Sequence, residues 1–239
     1  MEVKNLNRAE ARGKDDFAYN YKLTNTDLGK TLPEYAEEYI EFMILKGHYK
    51  YGDRLIESRI AEKLHISRGP VRDAIKSLEQ KGVVTIEPRR GAKVANFKER
   101  DFIEILGLRL LLENSIIENL VEEEELSKRD FSILRDMADH MVNIAKSDVA
   151  DHDKLLELSE HNLAFHKYIW DKSKSKRRKT ILYSMLFQLR LAMFYDLQKT
   201  ADLDKTLNAH YTLLDHMEAG QIEPAKQALK DHIQSLNRG

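Results

Sequence analysis

The sequence predicts a mainly α protein in two parts, an N-terminal winged helix-turn-helix followed by an all-α antiparallel helical bundle. Three observations predict it. Only 10 Gly and 4 Pro in 239 residues leave few turns, which favours long helices. Apolar residues recur three and four positions apart over most of the chain, the period of a helix with one buried face. Charge is divided: residues 50–95 carry eleven basic against six acidic side chains and residues 101–160 carry six against sixteen, although the whole chain has a net charge of only -1. A basic module beside an acidic one is the footprint of a nucleic-acid-binding domain joined to a domain with other work.

Composition narrows the function classes. With 0 Cys the chain has no disulfide framework, thiolate zinc site or cysteine nucleophile, and this suits a reducing cytoplasm. The first thirty residues lack the apolar core of a secretory leader, and no stretch approaches the roughly 18 apolar residues of a membrane span. The expectation is a soluble cytoplasmic protein with no membrane partner.

Residues 1–30 are polar and aperiodic, and read as an arm. From Leu32 the positions Tyr35, Ala36, Tyr39, Ile40, Met43 and Ile44 form a helical stripe ending near Gly47. Tyr51, Gly52 and Asp53 make a turn before a short strand at Arg54, Leu55 and Ile56. Glu57 and Ser58 then precede a short helix that runs through Leu64, with Ile60, Ala61 and Leu64 on one face. After a turn at His65 and Ile66, Ser67 is an N-cap candidate and Pro70 falls in the first turn of the next helix, where a missing N–H is tolerated. That helix runs to about Lys81. Val71, Ala74, Ile75 and Leu78 make its apolar face, while Arg68, Arg72 and Lys76 recur four residues apart on another.

Gly82 stops the helix. A strand at Val83–Ile86, a turn through Pro88, Arg89, Arg90 and Gly91, and a returning strand at Lys93–Ala95 complete a winged helix spanning residues 31–96. In such a unit the second helix enters the major groove of double-stranded DNA, and arginines at its start reach guanine edges or phosphates. A wing tip bearing Arg89 and Arg90 reaches neighbouring phosphates or the minor groove. Arg59, on the preceding helix, is a further basic candidate. A winged helix used as a protein–protein module is the alternative, although it does not need arginines at both contact points.

The run Ile66-Ser67-Arg68-Gly69-Pro70-Val71-Arg72-Asp73-Ala74-Ile75-Lys76-Ser77-Leu78-Glu79, followed by Gly82 and by Arg89-Arg90-Gly91, resembles the DNA-binding domain of GntR-family transcriptional regulators. The resemblance implies that Ser67, Arg68, Arg72 and Gly91 contact operator DNA. Three positions depart from the family pattern. Gly69 replaces a usual Thr or Ser and so removes one hydroxyl–phosphate contact, His65 stands at a usual Gly, and Arg89 at a position that is often Asn.

Residues 97–239 read as helices at about 99–122, 128–146, 152–172, 176–198, 203–219 and 222–237, six in an antiparallel bundle. Asn162 and His166 lie one turn apart on one helix face. His210 and His232 flank a hairpin turn near Gly220 at similar distances from it, so they can sit side by side. Three imidazoles and one oxygen suit zinc, nickel or another borderline divalent metal, while any single one of these histidines is as readily a core or surface residue. Arg109 lies among Ile105, Leu106, Leu112 and Ile116, so its charge needs a buried anion: either Glu113 one turn on, or the carboxylate of a bound effector. Arg190, among Leu186, Leu189 and Leu191, is a second candidate of the same kind. The acidic run Glu122–Glu125 and the basic link from Lys172 to Lys179 read as solvated.

This second part resembles the FCD ligand-binding domain of the FadR subfamily, in the order that subfamily uses. The resemblance implies a metal held by Asn162, His166, His210 and His232, with Asn in place of the more usual Asp weakening the site. It also implies a small carboxylic acid effector bound near the metal by Arg109, and a homodimer, most often a repressor. A metal-responsive regulator without an organic effector shares the same ligands. A metallohydrolase would need a general base, and Asn162 cannot serve as one. His140, His152, His161 and His216 fall outside the ligand pattern and read as structural or solvated. The expected function is regulation of transcription rather than enzymatic catalysis.

Overall fold

The computed structural model describes residues 30–147, 151–200 and 202–233, and the chain divides into two compact units between Asn96 and Phe97. Apart from Lys30, the expected N-terminal arm lies outside the described residues, as do residues 234–237 of the expected last helix.

The first unit begins with α1 (Leu32–Leu45), fixed at its start by a capping box in which the Thr31 hydroxyl accepts from Glu34 N and the Glu34 carboxylate accepts from Thr31 N. β1 (Arg54–Leu55) leads directly into α2 (Glu57–Leu64), because Ile56, expected in the strand, serves as the N-cap of α2. α3 (Arg68–Gln80), β2 (Val84–Glu87) and β3 (Gly91–Val94) follow. The three strands form an antiparallel sheet in the order β1-β3-β2, with Arg54 opposite Lys93 and Thr85 also opposite Lys93. α3 packs on α1, α2 and β2. Ala36, Ala61 and Ala74 are buried at these contacts, and their small side chains let the helices approach closely around Ile40, Ile60, Val71 and Leu78.

Two of the sequence's departures acquire a physical meaning here. His65 ends α2 in the left-handed region, with φ 56°, and Arg89 sits at the wing tip with φ 65°. Both positions favour residues that tolerate positive φ, Gly and Asn foremost.

In the second unit seven helices are described: α4 (Glu99–Glu122), α5 (Lys128–Ala145), α6 (Asp151–Lys172), α7 (Lys176–Ser184), α8 (Leu186–Lys199), α9 (Leu203–Glu218) and α10 (Ile222–Ile233). The expected single helix over 176–198 is therefore two, broken at Met185, whose φ of -107° and ψ of 17° leave helical geometry. The two segments differ in burial: α7 buries only Leu182 and packs on α4, while α8 buries Phe187, Leu189, Leu191, Ala192 and Met193 and packs on both α4 and α6.

α4 packs against α6, α7, α8, α9 and α10, and α5 against α6 and α9. Its burial of Phe102, Ile116, Ile117 and Leu120, with Phe165 and Trp170 from α6, supplies the apolar area that holds the bundle together. The charge runs are mostly exposed, as expected, and ion pairs link them. Lys172 Nζ lies 2.5 Å from Asp130 Oδ1, and Lys174 Nζ lies 2.9 Å from Glu125 Oε1. The basic link thus clasps the acidic end of α4 and the start of α5.

Candidate functional site

Two sites emerge, one in each unit. In the first, Ser67 occupies the N-cap of α3, but its hydroxyl makes no capping hydrogen bond. The sequence explains this. Pro70 stands three residues on and lacks the N–H that an N-cap hydroxyl would accept, so the hydroxyl is left available to an outside partner. Arg68, Arg72 and Lys76 are exposed on the same helix. Glu57, on α2, holds the first two: its Oε2 lies 3.3 Å from Arg68 Nη2 and 3.1 Å from Arg72 Nη2, and its Oε1 accepts from Arg72 Nε at 3.3 Å. The Arg72 hydrogen bond, aided by Arg68, holds the Glu57 carboxyl below the usual carboxylate range. Arg59 is exposed on α2, and Arg89, Arg90 and Gly91 are exposed at the wing tip.

In the second unit the α9–α10 hairpin, turned at Gly220 with φ 71°, sets His210 beside His232 at 4.3 Å between ring centroids. His166 of α6 completes a group in which one nitrogen from each of the three rings lies within 4.8 Å of the others. All three rings are buried, as is Asn162, whose Oδ1 is 3.0 Å from His210 Nε2. His166 Nε2 is 3.3 Å from His232 Nε2.

The protons in this cluster can be assigned from its hydrogen bonds. Burial raises the Glu113 carboxyl, but Arg109 and His166 outweigh it and hold Glu113 at about 2. Glu113 is therefore ionised and accepts only, so His166 Nδ1, 2.8 Å from its Oε2, carries a proton. His210 Nδ1 faces the Leu207 carbonyl at 3.0 Å and carries one as well. Burial pushes His166 below its ordinary value, with Arg109 adding to the effect, and pushes His210 down to about 3, so both rings are neutral. Their Nε2 atoms are consequently bare lone pairs. Burial, then His210 and His166, likewise drives His232 well below its ordinary value. The inward Nε2 atoms of the three rings share one proton at most, and the Asn162 oxygen adds a further acceptor. A divalent cation satisfies such a set of electron pairs, and the Glu113–His166 hydrogen bond is the carboxylate–histidine support that orients a metal-binding ring.

Arg109 is buried and its Nε donates to Glu113 Oε1 at 2.6 Å, so the intrahelical pair is present, while its Nη2 is buried without a hydrogen-bond partner. Arg190 is placed elsewhere: its Nε lies 2.8 Å from Glu160 Oε1 in a partly exposed ion pair. The histidine cluster and Arg190 are not brought together. Glu113, engaged by both Arg109 and His166 and held ionised, is not placed as a general base.

The comparisons with known proteins agree with this layout. Residues 32–94 match the bacterial regulatory proteins of the gntR family, and residues 104–235 match the FCD domain. The chain belongs to the GntR family, in its FCD-containing branch. Among relatives, the gluconate operon transcriptional repressor of Bacillus subtilis is 29% identical over 178 residues, covering 72% of this chain and 69% of that protein. Among solved structures, Escherichia coli McbR/YncC has a TM-score of 0.69 at 21% identity, covering 87% of this chain and 96% of that one. A GntR regulator from Rhodococcus sp. RHA1 has a TM-score of 0.68, also at 21% identity, covering 87% and 98%. This GntR protein is thus a transcriptional regulator and not an enzyme, and none of its described helices is long and apolar enough to cross a membrane.

One residue of this GntR chain that matters to the sites, Glu57, escaped the sequence reading, and a second, Glu113, was read in one of its two roles only. Glu113 is legible as an Arg109 partner from its spacing, but its second role depends on α6 lying against α4. Glu57 reaches two arginines that are 11 and 15 residues away in sequence, and no periodicity connects them.

Proposed function

We propose that this GntR-family chain is a repressor that binds a palindromic operator as a homodimer, and that a small carboxylic acid modulates the binding through a divalent metal held by His166, His210, His232 and Asn162. Zinc or nickel suits the donor set. The single observation that supports the effector is the charge balance of the buried cluster. Arg109 and Glu113 cancel, and the four proposed ligands are neutral, so a divalent ion would bring two positive charges into the core without an anion. Buried charge requires compensation. A carboxylate supplies it, and the unpartnered Arg109 Nη2 is a donor suited to the same group.

The free Ser67 hydroxyl and the exposed Arg68, Arg72 and Lys76 support α3 as the helix that enters the major groove, with Arg89, Arg90 and Gly91 at the wing and Arg59 on α2 as flanking contacts. Self-association is supported by α4, where Ile103, Leu108 and Leu111 are exposed, Leu111 to 70%, on a face whose apolar groups need cover. The relative named as a gluconate operon repressor supports the repressor role. When bound, the metal supplies a fixed positive charge to the acid. The effector acts only to the extent that it prefers one arrangement of the protein over another.

The test measures operator binding by fluorescence anisotropy on zinc-loaded and chelator-stripped protein, with and without a panel of small hydroxy and sugar acids. One acid should shift operator affinity on the loaded protein only, and the shift should vanish in Arg109→Met. Metal alone changing the affinity, with no acid active, would replace the effector by the metal itself as the signal. Substituting both Arg68 and Arg72 with Ala should weaken operator binding by at least about 30-fold.

A further inference from the structure

A second group of ligand-type side chains lies on the outside of the helical domain, and the function proposed above does not use it. His140 of α5 and Glu157 and His161 of α6 each offer a ligand atom within 4.8 Å of the other two. His140 and Glu157 are exposed and His161 is half-buried. The imidazoles of His140 and His161 meet edge to face, with centroids 4.4 Å apart and planes at 75°. Beyond this ring contact, no hydrogen bond or ion pair among the described residues engages any of the three.

We propose that His140, Glu157 and His161 form a second, solvent-facing site for a divalent transition metal of the zinc, nickel or copper class. The sequence and fold converge on this. Glu157 and His161 are one turn apart, so they project from the same face of α6. The packing of α5 on α6 brings His140 to that face from a different helix. In a tetrahedral site with bonds of roughly 2.0–2.2 Å, ligand atoms stand about 3.4 Å apart. The present separations are within 4.8 Å, and exposure leaves the His140 and Glu157 side chains free to rotate toward that spacing. Two imidazoles and one carboxylate leave positions open to water, the pattern of an exchangeable site rather than a closed structural one. The donor chemistry also differs from that of the buried cluster, since Glu157 lowers the charge carried by the bound ion.

The location gives the site a consequence. It clamps α5 to α6 beside Asn162 and one turn before His166, so an ion there restrains the helix that carries two residues of the buried cluster. The outer site is assembled from its own residues and does not depend on the buried one being filled.

The experiment uses full-length protein stripped with a chelator and titrated with Zn²⁺ against a chromophoric indicator. Variants are His140→Ala, the double change His140→Ala with Glu157→Gln, and His216→Ala as a surface control, since His216 is already engaged by Gln221. Circular dichroism checks that each is folded. The unaltered chain should bind a weaker zinc ion in addition to any tight one. His140→Ala should weaken that ion by at least about tenfold, the least that loss of a supporting group costs a metal site. The double variant should lose it, and His216→Ala should leave it unchanged. Copper(II) loaded at the weaker site should show two nitrogen ligands by electron paramagnetic resonance, falling to one in His140→Ala. Superimposable titrations for the unaltered and doubly substituted chains, or the absence of a second ion, would overturn the proposal.

Discussion

Glu113 Oε2 accepts a hydrogen bond from His166 Nδ1 at 2.8 Å while its Oε1 accepts one from Arg109 Nε at 2.6 Å. One buried carboxylate thereby fixes both an imidazole and a guanidinium. Its removal leaves a cation without a counterion in the core. Glu113→Gln should cost about 3–5 kcal/mol, which for a protein of this size lowers the melting temperature by roughly 6–20 °C. Arg190→Ala, which breaks a partly exposed pair with Glu160, should cost at most about 1 kcal/mol. Thermal unfolding of the two variants side by side is decisive, and equal losses would show that Glu113 has no special place.

That contrast shows what periodicity can and cannot reveal. Arg109 and Arg190 look alike in sequence, each set among apolar neighbours, yet one is buried and the other reaches the surface. Helix propensity and stripe placed most helical ends within a residue or two, because they depend on local spacing. The break at Met185 was not legible, since no Gly or Pro marks it and the apolar spacing runs on through it. The pairing of His210 with His232 was legible because both are tied to a hairpin of readable length, whereas their grouping with His166 came from the family resemblance. The cluster's Glu113 support was not legible, because it requires knowing which helix lies opposite α6. In the same way Ser67 read correctly as an N-cap by position, while Pro70, read only as a tolerated residue, is what leaves the Ser67 hydroxyl uncommitted.

His65 closes α2 at φ 56°, a conformation that costs a residue with a Cβ roughly 1–2 kcal/mol. Glycine removes that cost but gains freedom in the unfolded chain worth about 0.4–1 kcal/mol. His65→Gly should therefore stabilise the winged-helix unit by up to about 1.6 kcal/mol. Urea unfolding followed by a signal from this unit checks it. A destabilised variant would mean that the His65 side chain contributes more than its backbone strain removes.

Asp130 links the two ends of a helix pair. Its Oδ2 accepts from Ser127 N and Oγ at 2.9 and 2.6 Å, and its Oδ1 accepts from Tyr168 Oη at 2.7 Å and pairs with Lys172. Lys172 first, then Ser127 and Tyr168, hold its carboxyl well below the usual carboxylate range. A carboxylate whose folded value is depressed stabilises the fold above its unfolded value and loses that contribution as pH falls through the folded one. The window lies below about pH 4. Asp130→Asn should be less stable at neutral pH and should show a shallower loss of stability on acidification. Denaturation midpoints measured from pH 7 down to pH 2 give both slopes, and parallel curves would contradict the assignment.

Glu57 stands between the two arginines that open and continue α3. A guanidinium has five N–H donors, so Arg68 and Arg72 can keep Glu57 on one side and reach DNA with the other. The carboxylate then has two effects of opposite sign on binding. It fixes the direction of both arginines, which favours a matched base pattern, and it repels phosphate, which opposes binding to any duplex. Glu57→Gln removes both. Binding to unrelated DNA should tighten by a few-fold and become more salt-dependent, while the ratio of operator to non-operator affinity should fall by about tenfold, the equivalent of about 1.4 kcal/mol of discrimination. Anisotropy titrations at several salt concentrations, with operator and scrambled duplexes of equal length, separate these effects. An unchanged affinity ratio would mean that the arginines find their direction from the DNA alone, and that the Glu57 pairing is incidental to recognition.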